Sequence, residues 1–269
     1  MENLTWGKAL NCYTDYLRAK GSTYRTIQSR LGYLRRIRAI DQVEKITSEQ
    51  ILAWVAKQDW KPETRHSCYC ALRGFFQYLF QSGHLDYDPS QVLPKVKRFT
   101  PPPRPMPEEL FKKALDDAPP RVKLALELAG YVGLRRSEIP LVSTDDLVED
   151  LLGISLIVHG KGGKDRLVPL PDFLATQIRM AAGGCKWAFL SQQTGTHISS
   201  AWLAKICAPY LPKGYSLHTL RHRFATIAYQ RTGDIRSVQM LLGHEDLATT
   251  QRYIQVDATA LRRAMEAAI

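Results

Sequence analysis

The stretch Val92–Pro107, "VLPKVKRFTPPPRPMP", decides how this chain is divided. Pro94, Pro101, Pro102, Pro103, Pro105 and Pro107 fall within it. Proline fixes φ and has no backbone N–H, so such a run is excluded from helix interiors and from sheet. It favours extended polyproline geometry and acts as a semi-rigid spacer. Lys95, Lys97 and Arg98 make the spacer basic. The reading that follows is two domains, 1–93 and 107–269, joined by a linker over 94–106.

The part before the linker reads as helices. Trp6, Leu10, Tyr13 and Leu17 recur at helical spacing, and Gly21-Ser22 breaks that helix, with Ser22 placed to cap the next. Ile27, Leu31, Leu34 and Ile37 form the apolar stripe of a second helix. Arg25, Arg30, Arg35, Arg36 and Arg38 crowd the same segment, mostly off that stripe. Thr47 and Gln50 make a capping box for a third helix through Ile51, Trp54 and Val55. Pro62 opens a fourth, which runs through Leu72, Phe75, Phe76 and Leu79 to about Gly83. The expectation is a small all-α bundle with arginines on one flank.

After the linker, helical patterns resume over 108–118 and 121–133. The segment "LLGISLIVHGKGGKDRLVPL" (151–170) then changes period. Two short apolar runs flanking Gly162-Gly163 predict a β-hairpin. From Asp172 onward the pattern is mostly helical, with one short strand expected at "WAFL" (187–190). The second domain is therefore expected to be mainly α with a small antiparallel sheet.

Of 269 residues, 45% are hydrophobic, enough for real cores and against a disordered chain. The formal net charge is +11, with 16 Lys/Arg against 9 Asp/Glu before residue 101 and 21 against 17 after it. A basic excess spread over both halves favours a polyanionic partner, most often nucleic acid. Five cysteines (Cys12, Cys68, Cys70, Cys185 and Cys207) with no C-x-x-C pair argue against a disulfide framework or a zinc knuckle. Neither a secretory leader pattern nor an apolar run of about 18 residues is present, so the protein reads as cytoplasmic, away from membranes.

Four stretches hold residues able to carry chemistry. In "GLRRSEI" (133–139), Gly133 permits a left-handed turn that aims Arg135 back at the domain. In "HGKGGKDR" (159–166), Lys161 and Lys164 flank the Gly-Gly turn, where a lysine can approach a ligand closely. In "SLHTLRHRFAT" (216–226), His218 and Arg221 share one helix face, a donor pair suited to a phosphate or carboxylate. His222 lies four residues after His218, but the position following His218 is Thr219, not the Glu of a zincin helix. No metal site is expected, and His222 reads as a hydrogen-bonded structural histidine. In "LGHEDLATTQRYIQV" (242–256), Gly243 ends a helix, His244 follows, and Asp246 caps a short helix carrying Tyr253. Taken singly, each stretch reads more simply as solvated or packed. Taken together they supply two arginines, a lysine, two histidines and a tyrosine. That set suits attack on a phosphodiester without metal. Guanidiniums neutralise the pentacovalent phosphorane, lysine protonates the leaving oxygen, and tyrosine is the nucleophile.

The motifs "GLRRSE", "GKGGKDRLVPL", "HTLRH", "LGH" and "TTQRY" stand in an order over about 120 residues that closely resembles the tyrosine recombinases, the phage-integrase family. The resemblance implies a SAM-like helical core-binding domain before the linker and a catalytic domain after it. It implies that Tyr253 attacks the scissile phosphate, leaving a 3′-phosphotyrosyl link and a 5′-hydroxyl. Arg135 and Arg221 would clamp the non-bridging oxygens, Lys161 would protonate the departing 5′ oxygen, and Lys164 would replace it under a shift of the hairpin. His218 would assist proton transfer from Tyr253, His244 would hydrogen-bond the phosphate, and Glu138 would orient Arg135. No cofactor or ATP is implied, because the covalent link conserves the energy of the broken bond. Two rounds of strand exchange through a Holliday junction would complete recombination between double-stranded DNA core sites. A homotetramer on two paired sites is implied, held through the amphipathic "ATALRRAMEAA" of the tail (258–268), in a prokaryotic cytoplasm or nucleoid. Arg25, Arg30, Arg35, Arg36, Lys95 and Lys97 are the expected DNA contacts, and the chain is expected to be a minimal Xer-like or simple integrase reading only the core site. A type IB topoisomerase shares the phosphotyrosine chemistry, and a DNA-binding protein without catalysis shares the charge; both readings stay open.

Overall fold

The computed structural model describes residues 4–97, 104–160 and 163–243. The chain forms two compact units, Met1–Thr100 and Pro101–Ile269, which divide within the proline-rich stretch. Each end of that stretch belongs to a core of its own. Leu93 is buried in the first unit, and Met106 in the second.

The described residues of the first unit form four α-helices: α1 (Trp6–Ala19), α2 (Tyr24–Ile37), α3 (Ser48–Ala56) and α4 (Pro62–Gln81). Tyr13, Leu17, Ile27, Leu31, Leu34 and Ile37 meet Leu72, Phe75, Phe76 and Leu79 in one core. The cap of α2 is Thr23 rather than Ser22; its side chain accepts from the Thr26 N–H. The Gly21-Ser22 break uses up one more residue before the helix can start. The Thr47–Gln50 capping box forms as expected, with bonds of 3.3 and 2.9 Å. The Cys68 thiol is buried in this core, and desolvation pushes it up to about 12, which keeps it a packing group.

In the second unit, α5 (Glu108–Asp117) and α6 (Pro120–Tyr131) precede a three-stranded antiparallel sheet. Its strands are β1 (Leu147–Asp150), β2 (Gly153–His159) and β3 (Asp165–Leu170), in that spatial order. The sequence pattern predicts β2 and β3; β1, with only four residues, adds an edge to them. The register sets Val158 opposite Arg166, Leu156 opposite Val168 and Ile154 opposite Leu170. Among the described residues four α-helices follow: α7 (Asp172–Ala182), α8 (Ser200–Cys207), α9 (Leu217–Thr232) and α10 (Ile235–Leu242). The expected strand at 187–190 is reduced to two isolated bridges, Ser143 with Trp187 and Leu190 with His197. Too few residues run side by side there for a ladder to form.

Helix α6 is the centre of this unit. Val122, Leu124, Ala125, Leu126, Leu128 and Ala129 are all buried, and the helix packs against α5, α7, α8 and α9. A helix apolar nearly all round belongs inside a domain. Gly130 lets Phe111 of α5 close onto it: a β-carbon added there would lie 2.4 Å from the Phe111 ring. Phe111 is fully buried and stacked beneath the Arg223 guanidinium, 4.3 Å from its ring centroid, so it has nowhere to retreat. Overpacking a core in this way costs about 1–3 kcal/mol, more than the roughly 1 kcal/mol of helix propensity that alanine returns. Gly130→Ala is therefore expected to lower the denaturant midpoint of the second unit, measured by urea unfolding. An unchanged or raised midpoint would show that Phe111 is not held.

Candidate active site

The site is built around one carboxylate. Glu138 is only 5% exposed, in the turn that follows α6. Helix α6 ends at Tyr131, and Gly133, at φ 73°, reverses the chain so that Arg135 and Glu138 face back into the domain. Arg135 donates to Glu138 twice, from its backbone N–H to Oε2 and from Nη1 to Oε1, both at 2.7 Å. Arg166 of β3 meets the same carboxylate fork to fork, Nη1 to Oε1 at 3.0 Å and Nη2 to Oε2 at 2.8 Å. Arg221 of α9 approaches Oε2 at 3.9 Å. Burial alone would raise the Glu138 pKa. The bonds and charge from Arg166 and Arg135 outweigh it and hold the group at about 2.

The same three guanidiniums close the end of α10. That helix terminates on Gly243 in the left-handed conformation, φ 62°. Three successive carbonyls at this end each accept an arginine. Leu241 O takes Arg166 Nε at 2.8 Å, Leu242 O takes Arg221 Nη2 at 2.6 Å, and Gly243 O takes Arg135 Nη2 at 2.6 Å. The last carbonyls of a helix lack internal partners and carry partial negative charge, so cations are favoured there. Arg221 also donates to Gly133 O at 2.5 Å, which ties the end of α6 to the end of α10. Arg221 is 1% exposed, whereas the Arg135 side chain is 35% exposed and reaches the surface.

His218 stands in the first turn of α9, on the exposed side, its ring 4.4 Å from that of His222 in an edge-on pair. Partial desolvation, then the charges of Arg221, Arg136 and Arg135, push His218 below its ordinary value. Desolvation, His218 and Arg221 push His222 lower, to about 4. Both imidazoles are therefore neutral at physiological pH. A neutral His218 can accept a proton; His222, one turn further in, is a packing neighbour.

The β2–β3 hairpin is closed by a bond from Gly160 N–H to Lys164 O at 3.1 Å. A β-carbon at Gly160 would come within 2.2 Å of that carbonyl, so the closure requires glycine. Lys164 is exposed beside the turn. Next to the turn, His159 bonds Asp146 through Nε2 and Asp165 through Nδ1, each at 3.0 Å. Lys161, His244 and Tyr253 lie outside the described residues. The structure thus brings together Arg135, Glu138, Arg221 and His218, and carries the chain up to the residues before Lys161 and His244.

In the first unit, Arg25, Arg35, Arg36, Lys95 and Lys97 are exposed. Arg30 is half-buried and donates to the Tyr13 hydroxyl at 3.0 Å, so it braces α2 on α1 as well as carrying charge. Among the described residues no group of three His, Cys, Asp or Glu could hold a metal ion, and no helix is long and apolar enough to cross a membrane.

Sequence reasoning missed Arg166. The signal was present: residues 166, 168 and 170 share one face of β3, and Val168 and Leu170 are buried. An arginine at an inward position of a strand demands a buried acid, and Glu138 is that acid.

The Glu138 pKa makes a stability statement. It falls from an ordinary 4.5 to about 2 in the folded chain. Its contribution is therefore complete above pH 4.5 and is lost as pH falls toward 2, on the order of 3 kcal/mol in all. Glu138→Gln should flatten the stability profile between about pH 4.5 and 2, measured by urea unfolding across pH, and should lower stability at pH 7 by about 3–5 kcal/mol, because the guanidiniums lose their counter-charge. An acid limb equally steep in both proteins would refute the assignment.

Residues 108–260 match the phage integrase family. The chain is 31% identical over 270 residues to the tyrosine recombinase XerA of Thermococcus kodakarensis, covering 95% of this chain and 93% of that one. It is 32% identical over 237 residues to the tyrosine recombinase XerD of Vibrio cholerae, covering 80% and 78%. Among solved structures, a lambda integrase(75–356) dimer bound to a COC′ core site superposes with a TM-score of 0.77 at 18% identity, covering 93% of this chain and 95% of that one. A lambda integrase tetramer bound to a Holliday junction gives 0.76 at 18%, covering 94% and 78%. XerH bound to palindromic difH in a post-cleavage complex gives 0.70 at 20%, covering 92% and 81%. The order of the motifs, the arginine-ringed carboxylate they build and the match over most of the chain agree: this chain belongs to the phage integrase family of tyrosine recombinases.

Proposed function

We propose that this chain is a site-specific DNA recombinase that cleaves and rejoins double-stranded core sites through a 3′-phosphotyrosyl intermediate. The observation that carries the reading is the pair Arg135 and Arg221, held around Glu138 at the end of α10, one residue before His244. In the proposed step the Tyr253 oxygen attacks phosphorus and the bond from phosphorus to the 5′ oxygen breaks. The tyrosine proton passes to His218, and Lys161 gives a proton to the leaving 5′ oxygen. Arg135 and Arg221 balance the charge gathering on the non-bridging oxygens, with His244 as a further donor. Glu138 fixes where Arg135 points. Religation runs the same step backwards with the 5′-hydroxyl of another strand as nucleophile, which needs no ATP. Two rounds pass through a Holliday junction.

DNA would be held by backbone contacts from Arg25, Arg30, Arg35, Arg36, Lys95 and Lys97, so that affinity falls with salt. Four copies on two paired sites, joined through the tail after Tyr253, are the proposed assembly. A domain boundary within 94–106 fits these roles, with the helical unit reading the core site and the second unit cutting it. Pairing of sites is what separates this reading from a topoisomerase, which relaxes DNA as a monomer.

The test is a suicide substrate, nicked near the core site, incubated in EDTA. A covalent DNA adduct is expected with the native chain and none with Tyr253→Phe. An adduct formed by Tyr253→Phe, or none formed by the native chain, would sink the proposal. Cleavage should also persist in acid to below pH 6.5, because the lowered His218 pKa keeps that base neutral there. An acid limb of the cleavage rate that is unchanged in His218→Gln would remove His218 from the role.

A further inference from the structure

Arg166 ties together the three segments on which the proposed chemistry depends. Its Nη1 and Nη2 meet Glu138, the partner of Arg135, and its Nε meets Leu241 O at the end of α10. Gly243 lies directly against it: a β-carbon there would come 2.9 Å from Arg166 Cδ. All three kinds of nitrogen in this guanidinium are thereby committed to fixed protein partners. The residue is a bracket, not a surface cation, and its side chain is 11% exposed.

Its place on the hairpin matters as much as its bonds. Arg166 pairs with Val158, and both residues below that rung on the buried face, Val168 and Leu156, are in the core. Above it, His159, Lys164 and Asp165 are exposed. Arg166 is thus the side chain that ties β3 to Glu138 and to the end of α10, in the hairpin whose turn holds Lys161 in the sequence. The turn is closed by the bond from Gly160 N–H to Lys164 O, and His159 adds a second tie, to Asp146 outside the hairpin.

We propose that Arg166 is a positioning residue that fixes strand β3 against the Glu138 carboxylate and the end of α10, and so serves the general-acid role proposed for Lys161. It touches no reacting atom. It acts by tying the strand that follows the hairpin turn to the carboxylate that orients Arg135. The proposal rests on the phosphotyrosyl chemistry above. Lysine cannot replace it, because an ammonium supplies no planar fork for two carboxylate oxygens plus a third donor for the carbonyl.

The experiment compares the full-length native chain with Arg166→Lys and Arg166→Ala on two suicide substrates. One has an ordinary phosphodiester. The other carries sulfur in place of the bridging 5′ oxygen, so the thiolate leaves without a proton from any acid, a thiol being far more acidic than an alcohol. On the ordinary substrate both variants are expected to form adduct about 100-fold more slowly, the scale of a misplaced general acid. DNA affinity should stay within about threefold, since no phosphate contact is lost. On the sulfur substrate the rates of the variants should return to within about tenfold of native. A variant that is merely misfolded would be slow on both, and Arg166→Lys, which keeps the charge, guards against that outcome in Arg166→Ala. Equal defects on the two substrates in folded Arg166→Lys, or a native rate on the ordinary one, would overturn the proposal. If the native chain itself forms no adduct, the phosphotyrosyl reading falls and takes this one with it; an adduct with native chain and an unaffected Arg166→Lys removes this one alone.

Discussion

A buried carboxylate can stay ionised only if positive charge and hydrogen bonds replace the water it has lost. Glu138 meets that condition with the guanidiniums of Arg135 and Arg166 at hydrogen-bond distance and Arg221 just beyond. The constraint works in both directions. Arginines packed against one another inside a domain would repel, and a single acid between them turns repulsion into a fixed geometry. The α10 carbonyls complete the arrangement by taking the N–H groups that the carboxylate leaves over. Three guanidiniums against one carboxylate leave the cluster with a net positive charge, as the phosphate site proposed above requires.

The fold serves that frame. Helix α6 is central and apolar, and its end delivers Arg135 and Glu138. Helix α9 packs along α6 and delivers His218 and Arg221 from its first turns. The hairpin delivers Arg166 from one side, and α10 meets all three arginines with its C-terminus. Arg166, Arg221 and His218 stand on a strand or in the first turns of a helix, and the short turn that carries Arg135 and Glu138 is pinned by its own bonds to them.

Much of this was legible in the sequence, for identifiable reasons. The four N-terminal helices followed from stripes such as Ile27, Leu31, Leu34 and Ile37, because burial enforces the helical period. The Thr47–Gln50 capping box was readable because both of its bonds are local. The roles of Gly133 and Gly243 as turning points were readable because few other residues adopt positive φ. The cap of α2 was misplaced by one residue, as helix boundaries often are when Ser and Thr stand together. Strand β1 and the bridges at Trp187 and Leu190 were missed or overread, since short pairings depend on distant partners. Arg166 escaped notice although its alternation with Val168 and Leu170 marks it as inward-facing, because its partner Glu138 lies 28 positions away. Family resemblance supplied the roles of Lys161, His244 and Tyr253, which lie outside the described residues.

The bonds that close the arginine cluster join residues far apart along the chain. Arg135 reaches Gly243 across 108 positions, Arg221 reaches Gly133 across 88, and Arg166 reaches Leu241 across 75. Contacts of such separation require closing large loops, an entropy that is recovered only once the intervening elements have packed. The arginine cluster therefore exists only in a chain whose second unit has folded as a whole: a partly folded chain has Arg135, Arg166 and Arg221 scattered. On the function proposed above, the topology itself acts as a safety catch, since the residues that would act on DNA come together only in the folded domain.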